Sequence, residues 1–487
     1  MRILSEILQS VTFKKVIGNT EIPFTSIVFD SRKVNRGCLF VAVKGTLSDG
    51  HKYISLAIEN GAAVIICEII PTEINNAITY IQVKDSSKTL GLIASAFYNY
   101  PSHKLKLVGI TGTNGKTTTA TVLYLMVRRL GFRAGLLSTV RNYVDDLMIE
   151  ATHTTPDAVE INKLINDMVN AGCEYCFMEV SSHAINQERI SGLRFAGALF
   201  TNITHDHLDY HKTFAEYIKA KKKFFDELNP EGFALVNADD KNSGVMVQNT
   251  QAEIKRFALQ SMADFRAKII ENHFDGSMLS IDNRDVWTFF VGRFNAYNLL
   301  GVYATLYMLG FNKDEILTAL SEMKPVEGRF ESFRSPNGIT AIVDYAHTPD
   351  ALLNVLNAIN QIRNDNQNVI TVVGAGGDRD KTKRPEMANI AVLNSNKVIL
   401  TSDNPRSENP VSIIEEMKAG VDAVNMKNVL AITDRKEAIR TACLLAKTGD
   451  VILIAGKGHE TYQEILGVKH HFDDREIINQ LFNELYN

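Results

Sequence analysis

Short apolar runs alternate with helix-length segments over most of the chain, and this alternation is the feature that most limits its fold. One series of runs lies at 105–110, 134–137, 175–180, 197–200 and 233–236. A second series follows position 338, at 340–343, 369–373, 397–400, 429–432 and 451–454. Such alternation predicts two α/β units, each with a largely parallel sheet covered by helices.

The 487 residues are enough for about three domains. The first hundred residues carry their own strand-like runs at 27–29, 39–43 and 63–67, and a linker is expected at 98–102. We therefore expect an α/β protein of three domains. These are a small N-terminal α/β domain at 1–102, a central α/β domain at 103–332, and a Rossmann-like C-terminal domain at 333–487.

Charge and cysteine content narrow the class of protein. The 52 basic and 56 acidic residues give a net charge of -4, which disfavours nucleic acid and anionic membranes as partners. Glu6 interrupts the stretch where a signal peptide needs its apolar core, and no 18-residue apolar run occurs. We expect a cytoplasmic protein whose five cysteines are buried thiols, including the pair Cys173 and Cys176.

Nearly every apolar run ends in a polar cluster, and the strongest cluster is a glycine-rich loop between a strand and a helix. Its residues are Gly112, Thr113, Asn114, Gly115, Lys116, Thr117 and Thr118. Glycines allow backbone N–H groups to face phosphate oxygens, Lys116 neutralises the phosphates, and the Thr117 hydroxyl can bind Mg²⁺. The general nucleotide loop has a glycine where this chain has Ile110. The strand and helix around the loop still favour nucleotide binding, so we expect the central domain at 103–332 to be a mononucleotide-binding domain with a phosphate loop.

Two further clusters follow neighbouring runs of the central unit. Glu179 ends one run, where a carboxylate would be a suitable ligand for Mg²⁺ beside the phosphate loop. His205, His207 and Asp209 follow an H-x-H-x-D spacing, and His211 comes after them, a pattern that also resembles a binuclear zinc hydrolase. We consider that alternative weaker because Tyr210 interrupts the pattern and the nucleotide loop would have no role.

Lys221 lies at an unexpected place in the following helix. Thr213 and Glu216 predict a capping box, and apolar residues then recur at helical spacing through Leu228. Lys221 falls within this apolar stripe, so its side chain must extend to solvent, form a pair, or be modified. The pattern alone favours extension to solvent.

The ordered motifs resemble those of the Mur ligase family of ATP-dependent amide-bond-forming enzymes over essentially the whole chain. The matching segments are 30–32, 112–118, 152–156, 179–183, 206–211, 292–298, 328–330, 344–349, 403–406 and 456–460. The resemblance implies that Thr117 and Glu179 hold one Mg²⁺, while His207 and a Lys221 carbamylated by CO₂ serve a second. It also implies ATP contacts from Asn298, Arg329 and Asp344.

For the acceptor, the resemblance implies UDP-N-acetylmuramoyl-L-alanyl-D-glutamate. It assigns Ser31 to the uridine end, and the muramoyl-peptide and its phosphates to Thr154, Thr155, Ser181, Gln187 and Arg189. Residues 46–48 depart from the better-known family pattern, so the uracil contacts there stay open.

For the added amino acid, the resemblance implies meso-diaminopimelate bound by Arg379, Asp403, Asn404, Arg406, Gly456 and Glu460. Arg406 has a planar guanidinium suited to the second carboxylate that distinguishes diaminopimelate from lysine. We expect a monomeric ligase that activates the acceptor as an acyl phosphate. An L-lysine-adding relative, folylpolyglutamate synthetase, a nucleotide-driven switch and a dinucleotide-dependent enzyme based on 374–377 are the alternatives.

Overall fold

The computed structural model describes residues 2–45, 48–151, 153–204, 206 and 208–486. The N-terminal part contains helices α1 (Leu4–Leu8), α2 (Ile54–Glu59) and α3 (Ser86–Phe97). Its strands are β1 (Arg2–Ile3), β2 (Phe13–Ile17), β3 (Pro23–Phe24), β4 (Ile27–Val28), β5 (Leu39–Val41), β6 (Val64–Cys67) and β7 (Thr79–Val83). Strands β4 to β7 form a parallel sheet that antiparallel β2 extends, whereas β1 pairs with β3.

The described residues of the central part contain eleven strands, which form one sheet. They are β8 (Lys106–Thr111), β9 (Ala134–Leu137), β10 (Arg141–Val144), β11 (Leu147–Glu150), β12 (Tyr175–Glu179), β13 (Gly197–Phe200), β14 (Phe233–Asn237), β15 (Glu253–Ala258), β16 (Phe265–His273), β17 (Gly276–Ile281) and β18 (Arg284–Thr288). The helices are α4 (Lys116–Arg129), α5 (Ala158–Asn170), α6 (Ser182–Asn186), α7 (Leu208–His211), α8 (Phe214–Asp226), α9 (Ser243–Met246), α10 (Arg293–Met308) and α11 (Lys313–Ser321).

The order of this sheet is β11-β10-β9-β12-β8-β13-β14-β15-β16-β17-β18. Its middle, from β9 to β16, is parallel as predicted. Antiparallel strands extend both edges, and the sequence reasoning did not predict them. Two apolar cores cover the faces of the sheet, one beneath α4 and α10 and the other beneath α5 and α8.

The C-terminal part has a six-stranded sheet of order β19-β20-β24-β21-β22-β23, parallel except at β19. The strands are β19 (Glu331–Arg334), β20 (Thr340–Asp344), β21 (Val369–Ala375), β22 (Lys397–Ser402), β23 (Val429–Ala431) and β24 (Val451–Ala455), followed by the hairpin β25 (Tyr462–Ile465) and β26 (Val468–His471). Helices α12 (Pro349–Ile362), α13 (Lys383–Asn394), α14 (Pro410–Lys418), α15 (Arg435–Leu445) and α16 (Asp474–Tyr486) cover both faces.

The predicted strands of the two large units are present within one or two residues of the expected bounds. All five cysteines are buried free thiols, as expected. Among the described residues, no helix is both long enough and apolar enough to cross a membrane.

Candidate functional site

The glycine-rich loop joins β8 to α4, as the sequence predicts. Gly115 precedes the first turn of α4 with φ 87°, and a Cβ there would lie 2.3 Å from Asn298 Oδ1. At Gly112, with φ 154°, a Cβ would lie 2.0 Å from Thr201 Oγ1. Only glycine fits this path at both positions, and the path presents the first N–H groups of α4 to an anion.

Lys116 and Arg329 bring two cations to this loop. Lys116 Nζ donates to the carbonyl oxygens of Gly112 and Thr113 at 3.0 and 2.9 Å, and burial lowers its pKa. Arg329 comes from the connection into the third domain, and its guanidinium donates to Thr117 Oγ1 at 3.2 Å. The geometry therefore concentrates positive charge where phosphates of a nucleotide would bind.

Glu179 ends β12 beside the loop, opposite Ile110 of β8 in the parallel register. Its carboxylate is fully buried. Thr139 donates to it through its backbone N–H at 2.8 Å and its hydroxyl at 3.3 Å. A buried carboxylate close to a threonine hydroxyl provides the hard oxygen ligands that Mg²⁺ prefers.

Lys221 is buried, with only 1% of its surface exposed, so the prediction that its side chain extends to solvent is wrong. Its Nζ donates to Gly112 O at 2.9 Å and to Thr111 Oγ1 at 3.4 Å, and lies 4.9 Å from the centre of the Tyr217 ring. Burial, reinforced by repulsion from Lys116, lowers the pKa of Lys221 well below its usual value. A neutral amine is the form that reacts with CO₂.

His207, the remaining predicted metal ligand, lies outside the described residues, as does His205 of the zinc alternative. Among the residues that the structure describes, no three or more His, Cys, Asp or Glu side chains are placed to hold a metal ion. Thr117 and Glu179 suit Mg²⁺ because their side chains offer hydroxyl and carboxylate oxygens, which are hard ligands. Lys221 fits the predicted role only as a carbamate, because its ammonium form would repel the ion.

The residues predicted for the muramoyl-peptide form one hydrogen-bonded group. Thr155 Oγ1 donates to Glu179 O at 2.9 Å and accepts the backbone N–H of Ser181 at 3.1 Å. Arg189 donates to Thr155 O at 2.7 Å and to Gln187 Oε1 at 2.6 Å. The group therefore connects the expected acceptor site with Glu179.

The other predicted acceptor residues lie apart from this group. Thr154 lines the same cavity as Glu179, whereas Gln187 does not line it and contacts the site through Arg189. Ser31 is buried in the first domain, where its carbonyl accepts from Asn60 at 3.2 Å, and it does not line the cavity. Thr46 and Leu47, expected near the uracil, lie outside the described residues.

Asp344, predicted to bind the ATP ribose, ends β20. Its Oδ2 accepts the backbone N–H of Phe330 at 2.7 Å. Phe330 has φ 47°, a left-handed conformation that a bulky residue rarely adopts. Burial raises the pKa of Asp344 to about 6, and the charge of Arg329 opposes this rise.

The residues predicted for the amino acid meet around the strand ends of the third sheet. Asn404 Nδ2 donates to Glu460 Oε2 at 2.7 Å, and Arg406 donates to Gly377 O at 2.7 Å. A Cβ at Gly456 would lie 2.5 Å from Asp403 Oδ2, so the backbone passes close to that carboxylate. Burial raises the pKa of Glu460, and Asp403 reinforces the rise.

A single cavity of about 900 Å³ joins these regions. It is lined by the loop from Thr113 to Thr118, by Glu179 and Lys221, and by Asn298, Arg329, Asp344, Arg379, Asp403, Asn404, Arg406, Gly456 and Glu460. The third domain contacts the central one across it, through an ion pair between Lys383 and Asp206. A hydrogen bond of 2.6 Å from Asn114 to Asp350 is a second contact.

Several residues in this region were not predicted as site residues. Lys457 is fully buried and donates to Asn404 Oδ1 and Glu460 Oε2, both at 3.2 Å. Thr139, His347 and Asp350 also line the cavity. The available signal was their position after the strand ends of β9, β20 and β24, with Asp350 in the first turn of α12 after β20, because ligands bind beyond the carboxyl ends of parallel strands.

Comparison with known proteins gives consistent matches along the chain. Family models match at residues 23–98 (Mur ligase family, catalytic domain), 110–306 (Mur ligase middle domain) and 328–458 (Mur ligase, glutamate ligase domain).

Two relatives named UDP-N-acetylmuramoyl-L-alanyl-D-glutamate--2,6-diaminopimelate ligase are each 56% identical. The one from Bacteroides thetaiotaomicron aligns over 99% of this chain and 100% of its own length, and the one from Cytophaga hutchinsonii over 99% of both. A solved structure with the same name has a TM-score of 0.70 and 29% identity, covering 99% of both chains.

Proposed function

The chain belongs to the Mur ligase family, and we propose that it joins 2,6-diaminopimelate to UDP-N-acetylmuramoyl-L-alanyl-D-glutamate at the expense of ATP. The observation that carries this proposal is the single cavity, which holds a phosphate-binding loop at one side and a pocket of paired charges at the other. Such a reaction supplies precursors for peptidoglycan, and we place it in the cytoplasm.

The reaction needs activation because a carboxylate and an ammonium do not condense in water. In the proposed sequence, the γ-phosphate of ATP is transferred to the free side-chain carboxylate of the D-glutamate, giving an acyl phosphate and ADP. Lys116 and Arg329 neutralise the phosphate charges as the two anions approach. An amine of diaminopimelate then displaces phosphate from the acyl carbon.

For the metal, we propose Thr117 and Glu179 as ligands of one Mg²⁺, and His207 and carbamylated Lys221 as residues that serve a second. Bound Mg²⁺ would supply charge neutralisation for the transferring phosphate. Lys221 supports this proposal because it is buried and burial lowers the pKa of its amine well below the usual value. We also retain the domain bounds 1–102, 103–332 and 333–487, and a monomer, as proposals.

Diaminopimelate, rather than lysine, is favoured by the charges of the third domain. Arg406 is held by Gly377 O and lies 3.7 Å from Glu464. Its guanidinium can pair with the carboxylate that lysine lacks, while Asp403 and Glu460 can meet the nearby ammonium. The meso stereoisomer is the form that we propose.

The deciding experiment is a competition between meso-diaminopimelate and L-lysine with ATP and the UDP-dipeptide. Wild-type protein should release phosphate only with both cosubstrates and should prefer diaminopimelate. Arg406→Ala should reduce that preference by about two to three orders of magnitude, because a buried carboxylate then loses its partner. Arg440→Ala, an exposed arginine of α15, is the matched control. Preference for L-lysine in the wild type would refute the diaminopimelate assignment.

The carbamate is tested separately with Lys221→Ala. Activity should fall by about 100-fold or more and should partly return when short carboxylates are added. Lys219→Ala serves as the control because Lys219 is exposed on the same helix. Full activity of Lys221→Ala would exclude a carbamate at this position.

A further inference from the structure

His347 occupies the turn between β20 and α12, three residues after Asp344. Its ring is exposed to the cavity. The third domain also contributes the predicted amino-acid pocket. Of the described residues that line the cavity, His347 is the only imidazole that this domain supplies.

The hydrogen bonding of His347 determines which ring nitrogen carries the proton. Nδ1 lies 2.8 Å from the carbonyl oxygen of Tyr345. A carbonyl oxygen can only accept, so Nδ1 must donate and Nε2 of the neutral ring keeps a lone pair. Within the described part of the chain, Nε2 has no hydrogen-bond partner. The Tyr345 ring, 4.5 Å away between centroids, packs against the imidazole and orients it.

The surroundings keep this imidazole neutral. Partial removal of solvent within the cleft lowers the pKa of His347, and the cations Arg329 and Lys383 add to this effect, whereas the hydrogen bond to the Tyr345 carbonyl opposes it. The charge of Asp206 raises the pKa of His347, but Asp206 is itself paired with Lys383, whose charge acts in the opposite direction. His459 is the other titratable neighbour, and burial lowers its pKa to about 3, so it also carries no charge. An imidazole that stays unprotonated near neutral pH is ready to accept a proton.

We propose that His347 is the catalytic base of the amide-forming step, accepting through Nε2 a proton from the attacking amine. The inference rests on the proposed function. As the amine nitrogen bonds to the acyl carbon, the bond from that carbon to the phosphate oxygen breaks, and phosphate leaves with the electron pair. The ammonium of the amino acid loses two protons overall. One leaves with phosphate as hydrogen phosphate, and the other passes to His347 and then to water.

The other candidate groups at this end of the cavity are already engaged. Glu460 accepts from Asn404 and Lys457, which hold it in place for an ammonium. Asp206 is paired with Lys383. His347 instead presents an unshared lone pair from the domain that holds the amine, beside the domain that holds the acyl phosphate.

The test separates acyl phosphate formation from amide formation. Hydroxylamine is uncharged near neutral pH, so it traps an acyl phosphate as a hydroxamate without needing a base to deprotonate an ammonium. We would measure hydroxamate formation with hydroxylamine, and tripeptide formation with diaminopimelate, for wild type and His347→Gln. His470→Gln, an exposed histidine of β26, is the matched control.

We expect His347→Gln to slow tripeptide formation by about 100- to 10,000-fold while hydroxamate formation stays near the wild-type rate. The acidic limb of the kcat/KM pH profile for diaminopimelate should also be lost. Tripeptide formation within fivefold of wild type would overturn the inference. An equal loss of both products in His347→Gln and in His347→Asn would overturn it too. If wild type forms neither product, the proposed function fails instead.

Discussion

Asp350 connects the third domain to the nucleotide loop, and its removal should weaken closure of the cavity. Its Oδ2 accepts from Asn114 Nδ2 at 2.6 Å and from Thr204 Oγ1 at 3.3 Å. Both donors belong to the central domain, whereas Asp350 lies in the first turn of α12. Asp350→Ala therefore removes two contacts between the domains without altering the loop itself.

The size of the effect follows from the shorter bond. A hydrogen bond to a charged group contributes about 1.5–3 kcal/mol, which corresponds to about 10- to 150-fold in kcat/KM. Asp350→Asn can keep an oxygen facing Asn114 and loses only the charge. We expect it to cost about 1 kcal/mol, or about fivefold.

The assay is steady-state phosphate release with ATP, UDP-dipeptide and diaminopimelate, applied as a double-mutant cycle. Asn114→Ala should lose somewhat less than Asp350→Ala because the Thr204 contact remains, and the double variant should be little worse than Asp350→Ala because the bond between Asn114 and Asp350 is already absent. Additive losses in the double variant, or an unimpaired Asp350→Ala, would refute the view that this contact holds the domains closed.

Three further predictions concern stability and reactivity. Arg435 and Asp474 form a fully buried ion pair, so Arg435→Met should lower the free energy of unfolding by about 3–5 kcal/mol in urea denaturation, and Arg435→Met with Asp474→Leu should recover much of it. Arg384 holds the pKa of Glu408 at about 2. The pair therefore stabilises the fold at pH values above the ordinary carboxyl pKa, and this stabilisation disappears as the pH falls towards 2. Arg384→Met should move the acid-unfolding midpoint to higher pH, and an unchanged midpoint would contradict this. All five cysteines should resist thiol reagents until the protein is denatured, because they are buried and burial raises the pKa of Cys443 to about 12; rapid labelling of the native protein would disprove this.

Strand ends were the most predictable part of the site. Glu179 and Asp344 both follow buried apolar runs, and the parallel register brings such ends to one edge of a sheet. The antiparallel strands at 265–288 were harder to predict because half-exposed residues dominate their outer faces and no continuous apolar run marks them.

Lys221 shows that helical periodicity predicts which face of a helix a residue occupies, but not how deeply its side chain is buried. The helical pattern placed it correctly on the inward face of α8, but depth along that face depends on neighbours distant in sequence. Gly112 O and the Tyr217 ring lie against the Nζ atom, which is buried beneath the phosphate loop. Contacts such as Asn114 with Asp350, separated by 236 residues, depend on how two domains meet, which local sequence does not encode.

Phe330 lies in the connection between the central and third domains, next to residues that we expect to bind the nucleotide. Its left-handed backbone, costly for an aromatic residue, is held by the carboxylate that we assign to ribose. Arg329, the adjacent residue, reaches back to the phosphate loop. A nucleotide that contacts both Arg329 and the carboxylate that holds Phe330 would connect the two domains. The same molecule that supplies the energy of the reaction would therefore also fix the angle between the domain that binds the acceptor and the domain that binds the amino acid.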